Sequence, residues 1–203
     1  MRPAGDRGRG TAGPPDGAGD GSLRLFFAVV PDAGARAALA ALARDVAQAV
    51  RGRPPPAENL HLTLAFLGQV SAARRAALAA IGAAAAAAAP PFLLTLDRVG
   101  AFRAAGIAWA GTDRPPPELL QLVAALNEGL AAAGLPVERR PFHPHVTLAR
   151  RGTRAPEGIA SAPLAWRVDR LVLMASDTLP AGPRYREVNA WPLAGMPAAS
   201  ADR

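Results

Sequence analysis

Two near-identical tetrapeptides constrain this chain more than any other feature: His61-Leu62-Thr63-Leu64 and His145-Val146-Thr147-Leu148. Each alternates polar and apolar residues, the period of a half-buried β-strand. Successive strand side chains point to opposite faces, so His61 and Thr63 share one side, roughly 7 Å apart, while Leu62 and Leu64 enter a core. The same parity unites His145 and Thr147. The chain contains only 3 histidines, and the third, His143, also lies beside the second motif.

The surroundings of the motifs repeat as well. In each half a proline-marked helix start, at Asp32 and at Pro117, leads through one helix and a loop into the histidine strand. Self-similarity at a fixed spacing reveals architecture that local propensity misses. An internal duplication follows, with the two motifs on equivalent strands related by an approximate two-fold axis and facing one another across a cleft.

Between these landmarks the pattern predicts an α+β fold, with antiparallel sheets facing a central cleft and helices packed outside. Leu23 to Val30 reads as a buried strand, followed by a helix over 33–50 capped by Asp32. Asn59 to Leu67 is a strand, and 71–89 an alanine-rich helix capped by Ser71 and closed by Pro90 and Pro91. Phe92 to Val99 and Gly106 to Gly111 are expected to pair with each other. A helix from Pro117 to about Ala133 ends at Gly134. Strands over 142–149, 168–175 and 185–193 complete the chain. Residues 1–21, rich in Gly, Pro, Asp and Arg with no apolar stretch, read as a disordered extension; 22–195 form the domain, and 196–203 a flexible tail.

Composition narrows the chemistry. With 0 cysteines there is no disulfide framework, thiol nucleophile or thiolate metal site. No segment approaches the roughly 20 apolar residues that span a bilayer, so a cytoplasmic protein is expected. The net charge of +7 favours anionic partners such as RNA. All 23 basic residues are arginine, however, which marks a compositional bias and weakens charge as an argument.

A polar His/Thr face in mid-strand requires a reason, and phosphodiester cleavage supplies one. An attacking water must lose a proton while the departing sugar oxygen gains one, and two imidazoles can be poised as base and acid at one pH. The threonine hydroxyls would donate to the non-bridging oxygens where charge develops. A metal site is the weaker alternative: His143 and His145 stand two apart, but no carboxylate cluster or cysteine completes a ligand set. No metal or cofactor is therefore expected, and His143 is assigned to the rim or to a supporting position.

On these motifs the chain resembles the two-histidine phosphoesterase superfamily, and specifically its bacterial and archaeal RNA 2',3'-cyclic phosphodiesterase branch, once described as 2'-5' RNA ligases. The likeness runs from about Leu23 to Leu193. It includes the opening 24–29 (RLFFAV), the extended motifs 61–68 (HLTLAFLG) and 142–150 (FHPHVTLAR), and the ending around 171–176 (LVLMAS) and 182–185 (GPRY). The resemblance implies a bilobal fold with a basic groove and hydrolysis of an RNA 2',3'-cyclic phosphate to a 2'-phosphate. It implies His61 as proton donor to the 3' oxygen and His145 as acceptor from water, although the motifs' symmetry would equally permit the exchanged roles. It also places Arg150, five residues after the second histidine, on the phosphate beside Thr63 and Thr147.

Strand parity contests that last assignment. An odd offset from His145 puts Arg150 on the opposite face unless the strand ends or bulges near Ala149. By the same parity Phe66 and Phe142 belong to the core, while Tyr185 is the better surface aromatic for stacking on a base. Arg151 and Arg154 extend a basic patch that would hold RNA phosphates non-specifically. No obligate protein partner is indicated and a monomer is expected. The alternatives are activity on 2'-5' linkages or small cyclic nucleotides, and an RNA-end-binding module without catalysis.

Overall fold

The computed structural model describes residues 22–138, 140–156, 162–179 and 182–194. The expected N-terminal extension, 1–21, and the tail, 196–203, lie outside the described residues.

Among these, one seven-stranded antiparallel sheet forms the body. Its strands are β1 (Leu23–Val29), β2 (Leu62–Val70), β4 (Arg98–Phe102), β5 (Ile107–Gly111), β6 (His145–Ala149), β8 (Arg170–Leu179) and β9 (Gly182–Pro192). A two-stranded sheet pairs β3 (Phe92–Leu96) with β7 (Leu164–Val168). Three helices, α1 (Ala33–Ala49), α2 (Arg75–Ala88) and α3 (Pro117–Ala132), pack on one face. None is long and apolar enough to cross a membrane.

The order β4-β5-β6-β2-β1-β8-β9 is the duplication made visible. The two histidine strands, β6 and β2, are central neighbours, each flanked by its own half. They touch through a single antiparallel pair, Leu62 opposite Val146, the residues just after the two histidines. The two halves are therefore joined side by side in one sheet, with the pseudo-two-fold axis between β2 and β6.

Local sequence explains most element boundaries. Asp32 caps α1, its carboxylate accepting from Ala35 N–H at 2.8 Å. Pro117 opens α3, and Gly134, at φ +65, closes it in the left-handed conformation that a side chain resists. Ser71 does not act as expected: it precedes a 3₁₀ turn, makes no side-chain cap, and α2 begins only at Arg75.

The strand pairing after α2 also differs from expectation. Phe92 to Val99 is broken at Asp97, and its first part pairs with β7, a strand the sequence reading overlooked. Only the second part, β4, pairs with β5. Periodicity reports which residues face a core, but partner choice is made by contacts remote in sequence, and it sends Leu94 to meet buried Trp166.

The helical face of the sheet holds the main core, including Leu25, Phe27, Leu62, Leu64, Val146 and Leu148. The opposite face carries a small second cluster, Phe26, Ala28, Val172 and Met174, with Tyr185 packed against it. That second face bears the histidines.

Candidate active site

Both motif strands deliver their histidine and threonine to one cleft of about 550 Å³, lined by His61, Thr63, His145, Thr147 and Arg150 among others. Carried one step either way, the Leu62/Val146 pairing sets His61 opposite Thr147 and His145 opposite Thr63. Each imidazole is thus flanked by the hydroxyl of the other half.

The two rings are held alike. His61 Nδ1 donates to the carbonyl of Asn59, and His145 Nδ1 donates to that of His143, each at 2.7 Å and each two residues back. A carbonyl only accepts, so Nδ1 carries the hydrogen in both rings and Nε2 is left for chemistry. Each ring also meets an aromatic edge-on at 5.0 Å, Tyr185 against His61 and Phe102 against His145. Phe26 lies 4.9 Å from the His61 ring. His143 stands behind the site, 4.7 Å from Trp109 and 6.0 Å from His145 between ring centres.

Burial governs the acid–base state. It pushes His61 down from 6.5 to about 4, aided by the positive charge of Arg150 and by His145, and opposed by the Asn59 carbonyl. His145 is lowered for the same leading reason, with His143 and Arg150 adding to the effect and the His143 carbonyl opposing it. Both rings are neutral at rest, and the site is poised to become positive when an anion enters.

Arg150 joins the cleft because the strand bulges. Ala149 pairs with Ala108 and Thr147 with Trp109, so Leu148 has no partner on β5. Leu148 and Ala149 both turn inward, and Arg150 returns to the histidine face. The parity objection is thereby resolved.

The same device corrects the expectation for Phe66. In β2, Ala65 pairs with Phe27 and Thr63 with Ala28, leaving Leu64 unpaired. Leu64 and Ala65 are both buried, and Phe66 emerges on the site face, 63% exposed. Its ring lies 6.0 Å from Phe26 at the cleft wall. Phe142 does pack against the main core, as expected, and Tyr185 lines the cleft.

Other participants had no sequence signal. Phe102 and Ile107 come from the hairpin of β4 and β5, and Arg24 and Arg140 reach the cleft from the start of β1 and the loop before β6. Asn59, buried, donates from Nδ2 to the Pro183 carbonyl at 2.8 Å and accepts from Tyr185 N–H at 3.4 Å. It ties the turn before His61 to the strand that carries Tyr185. Its position two residues before a histidine, matching His143, was the available clue. Among the described residues no group of three or more His, Cys, Asp or Glu side chains gathers as a metal site.

Comparison with known proteins agrees with this geometry. The family described as the 2'-5' RNA ligase superfamily matches residues 30–179. The chain belongs to this superfamily. One relative, the RNA 2',3'-cyclic phosphodiesterase of Escherichia coli K12, is 37% identical over 174 residues, spanning 84% of this chain and 96% of that protein. The enzyme of the same description from Thermus thermophilus is 32% identical, spanning 85% and 91%. Among solved members, the Escherichia coli LigT complex with 3'-AMP superposes with a TM-score of 0.74 at 35% identity, covering 85% of this chain and 98% of that one. The Thermus thermophilus superfamily member TT0787 gives 0.70 at 31%, covering 85% and 99%.

Proposed function

We propose that this protein hydrolyses RNA 2',3'-cyclic phosphate ends to 2'-phosphates. The observation that carries the reading is the pair of Nε2 atoms, both left free by Nδ1 bonds to carbonyls, in one cleft with two threonines and an arginine. An anionic cyclic phosphate between the rings favours the imidazolium form, so one histidine gains a proton as substrate binds.

In this reading His145 Nε2 takes a proton from water, and the water oxygen forms a bond to phosphorus. The bond from phosphorus to the 3' oxygen breaks, and His61 Nε2 protonates that oxygen. Thr63, Thr147 and Arg150 hold the non-bridging oxygens, where charge grows. His145 then releases its proton to solvent and His61 regains one. Phe66 offers its exposed face to the terminal base, since every base has a stacking surface. All five polar site residues come from one chain, so the protein acts as a monomer; a cytoplasmic location fits RNA as the substrate.

Phosphorus NMR on a short RNA with a 2',3'-cyclic end, incubated with the protein and a chelator, tests the assignment. The cyclic resonance is expected to give way to that of a 2'-phosphate. Stable binding without any product would replace the enzyme by an RNA-end-binding module, and a 3'-phosphate would reverse the bond that breaks.

A further inference from the structure

A second, smaller cleft of about 150 Å³ lies along the same edge of the sheet. It is lined by Arg103, Gly106, Ile107, Thr153 and Arg154 among others, with no carboxylate side chain among its lining residues. Ile107 lines the histidine cleft as well, so the two are contiguous.

The loop that builds this cleft is fixed on both sides. After Arg150, Arg151 adopts φ +58, a conformation unfavourable to a residue with a side chain, and turns the chain sharply. Gly152 N–H then donates to the Gly106 carbonyl at 2.9 Å. Thr153 and Arg154 N–H both donate to the Val50 carbonyl, at 2.9 and 3.2 Å. Arg53 and Arg150 exchange backbone hydrogen bonds of 2.8 and 2.9 Å across the other side of the loop. Thr153 and Arg154 therefore project from a pre-organised backbone. Among the described residues Arg154 has no ion-pair partner.

Small, cationic, hydroxyl-bearing and open to solvent, this cleft matches a phosphate group. Gly106, at φ +60, and Gly152 leave its floor without side chains, so a backbone can approach closely. We infer that this cleft is a subsite for the phosphodiester on the 5' side of the terminal nucleotide, held by Arg154 and Thr153 with Arg103 on the opposite wall. The inference rests on the proposed function and extends it. With the cyclic phosphate between the histidines and the base on Phe66, the chain leaves over Ile107 and places its next phosphate here. Arginine and threonine on a phosphate read no base, so the subsite recognises an RNA chain without recognising its sequence.

The test compares adenosine 2',3'-cyclic phosphate with a dinucleotide ending in the same group, which adds one upstream phosphodiester. The readout is the ratio of their kcat/KM values in wild type, R154A, R154E and T153V, with R44A on exposed α1 as a control for net charge. The ratio is expected to fall about three- to tenfold in R154A and further in R154E, as for loss of a charge-assisted contact. The log–log salt dependence of dinucleotide binding should lose about 0.7 in slope. An unchanged ratio in R154A and R154E, or an equal fall in R44A, overturns the subsite. If wild type hydrolyses neither substrate, the proposed reaction fails by itself. Binding of a dinucleotide ending in a 2'-phosphate, against adenosine 2'-phosphate, then gives the same ratio as affinities and decides the subsite independently.

Discussion

Phe66 and Arg150 occupy the same place in the two halves of the molecule, each five residues past its histidine and each restored to the site face by a bulge at the leucine two residues before it. A duplicated backbone device thus presents different side chains, an aromatic ring on one flank of the cleft and a guanidinium on the other. This breaks the symmetry of an otherwise matched pair of motifs and gives the cleft a direction, with base on the β2 side and phosphate charge at the end of β6.

Exchange of function between these two positions should separate kinetically. Phe66→Ala is expected to raise KM with kcat little changed, by the equivalent of about 1–3 kcal/mol of stacking. Arg150→Ala should lower kcat by about 100- to 1,000-fold, as for loss of a donor to developing charge. Steady-state kinetics on adenosine 2',3'-cyclic phosphate measures both, and a pure KM effect in Arg150→Ala would remove it from the transition state.

Alanine at either histidine is expected to cost about 100- to 10,000-fold in turnover with the fold retained. Because the rings serve one proton-transfer cycle, the double variant should be scarcely slower than the worse single one. Additive losses, measured by single-turnover assays alongside circular dichroism, would mean that the two rings act in separate processes.

The pH dependence should differ between free and bound enzyme. Burial disfavours the imidazolium, so both histidines titrate below 6.5 in the empty cleft, His61 near 4. The profile of kcat/KM, which reports free enzyme, should accordingly peak on the acid side. Bound cyclic phosphate favours the charged form, so the limbs of kcat should move to higher pH. A kcat/KM profile with both limbs above 6.5 would contradict the buried, unpaired setting of the rings.

The same burial has a stability consequence. In the unfolded chain His61 regains its ordinary value of 6.5, so below that pH the unfolded state binds more protons. Stability present above pH 6.5 is lost as pH falls towards 4, by up to about 3 kcal/mol from this residue. Denaturant titrations at pH 7.5 and 4.5 should show a smaller acid loss for His61→Asn than for wild type.

Gly100→Ala tests the wall behind His145. A Cβ on Gly100 would stand inside van der Waals contact of the Trp109 indole, which packs against His143 and lies 6.4 Å from His145 between ring centres. Overpacking of this kind costs about 1–3 kcal/mol, and the displaced indole should reduce turnover as well. Thermal denaturation with a matched activity assay measures the pair of effects; loss of neither would mean the wall yields freely.

The sequence by itself determined the duplication, the α+β architecture, the strand character of both motifs and the convergence of His61, Thr63, His145 and Thr147. Each follows from a repeat or a period, and a period of two reports facing without knowledge of partners. It also carried Arg150, but only through family resemblance, against its own parity. Tertiary structure alone decided the bulges at Leu64 and Leu148, the pairing of β3 with β7, and the aromatic edges that Tyr185 and Phe102 set against the histidines. A bulge arises from register against a neighbouring strand, and a ring contact from strands far apart in the chain. Neither leaves a local pattern to read, so Phe66 looked like core until β1 fixed where Leu64 must yield.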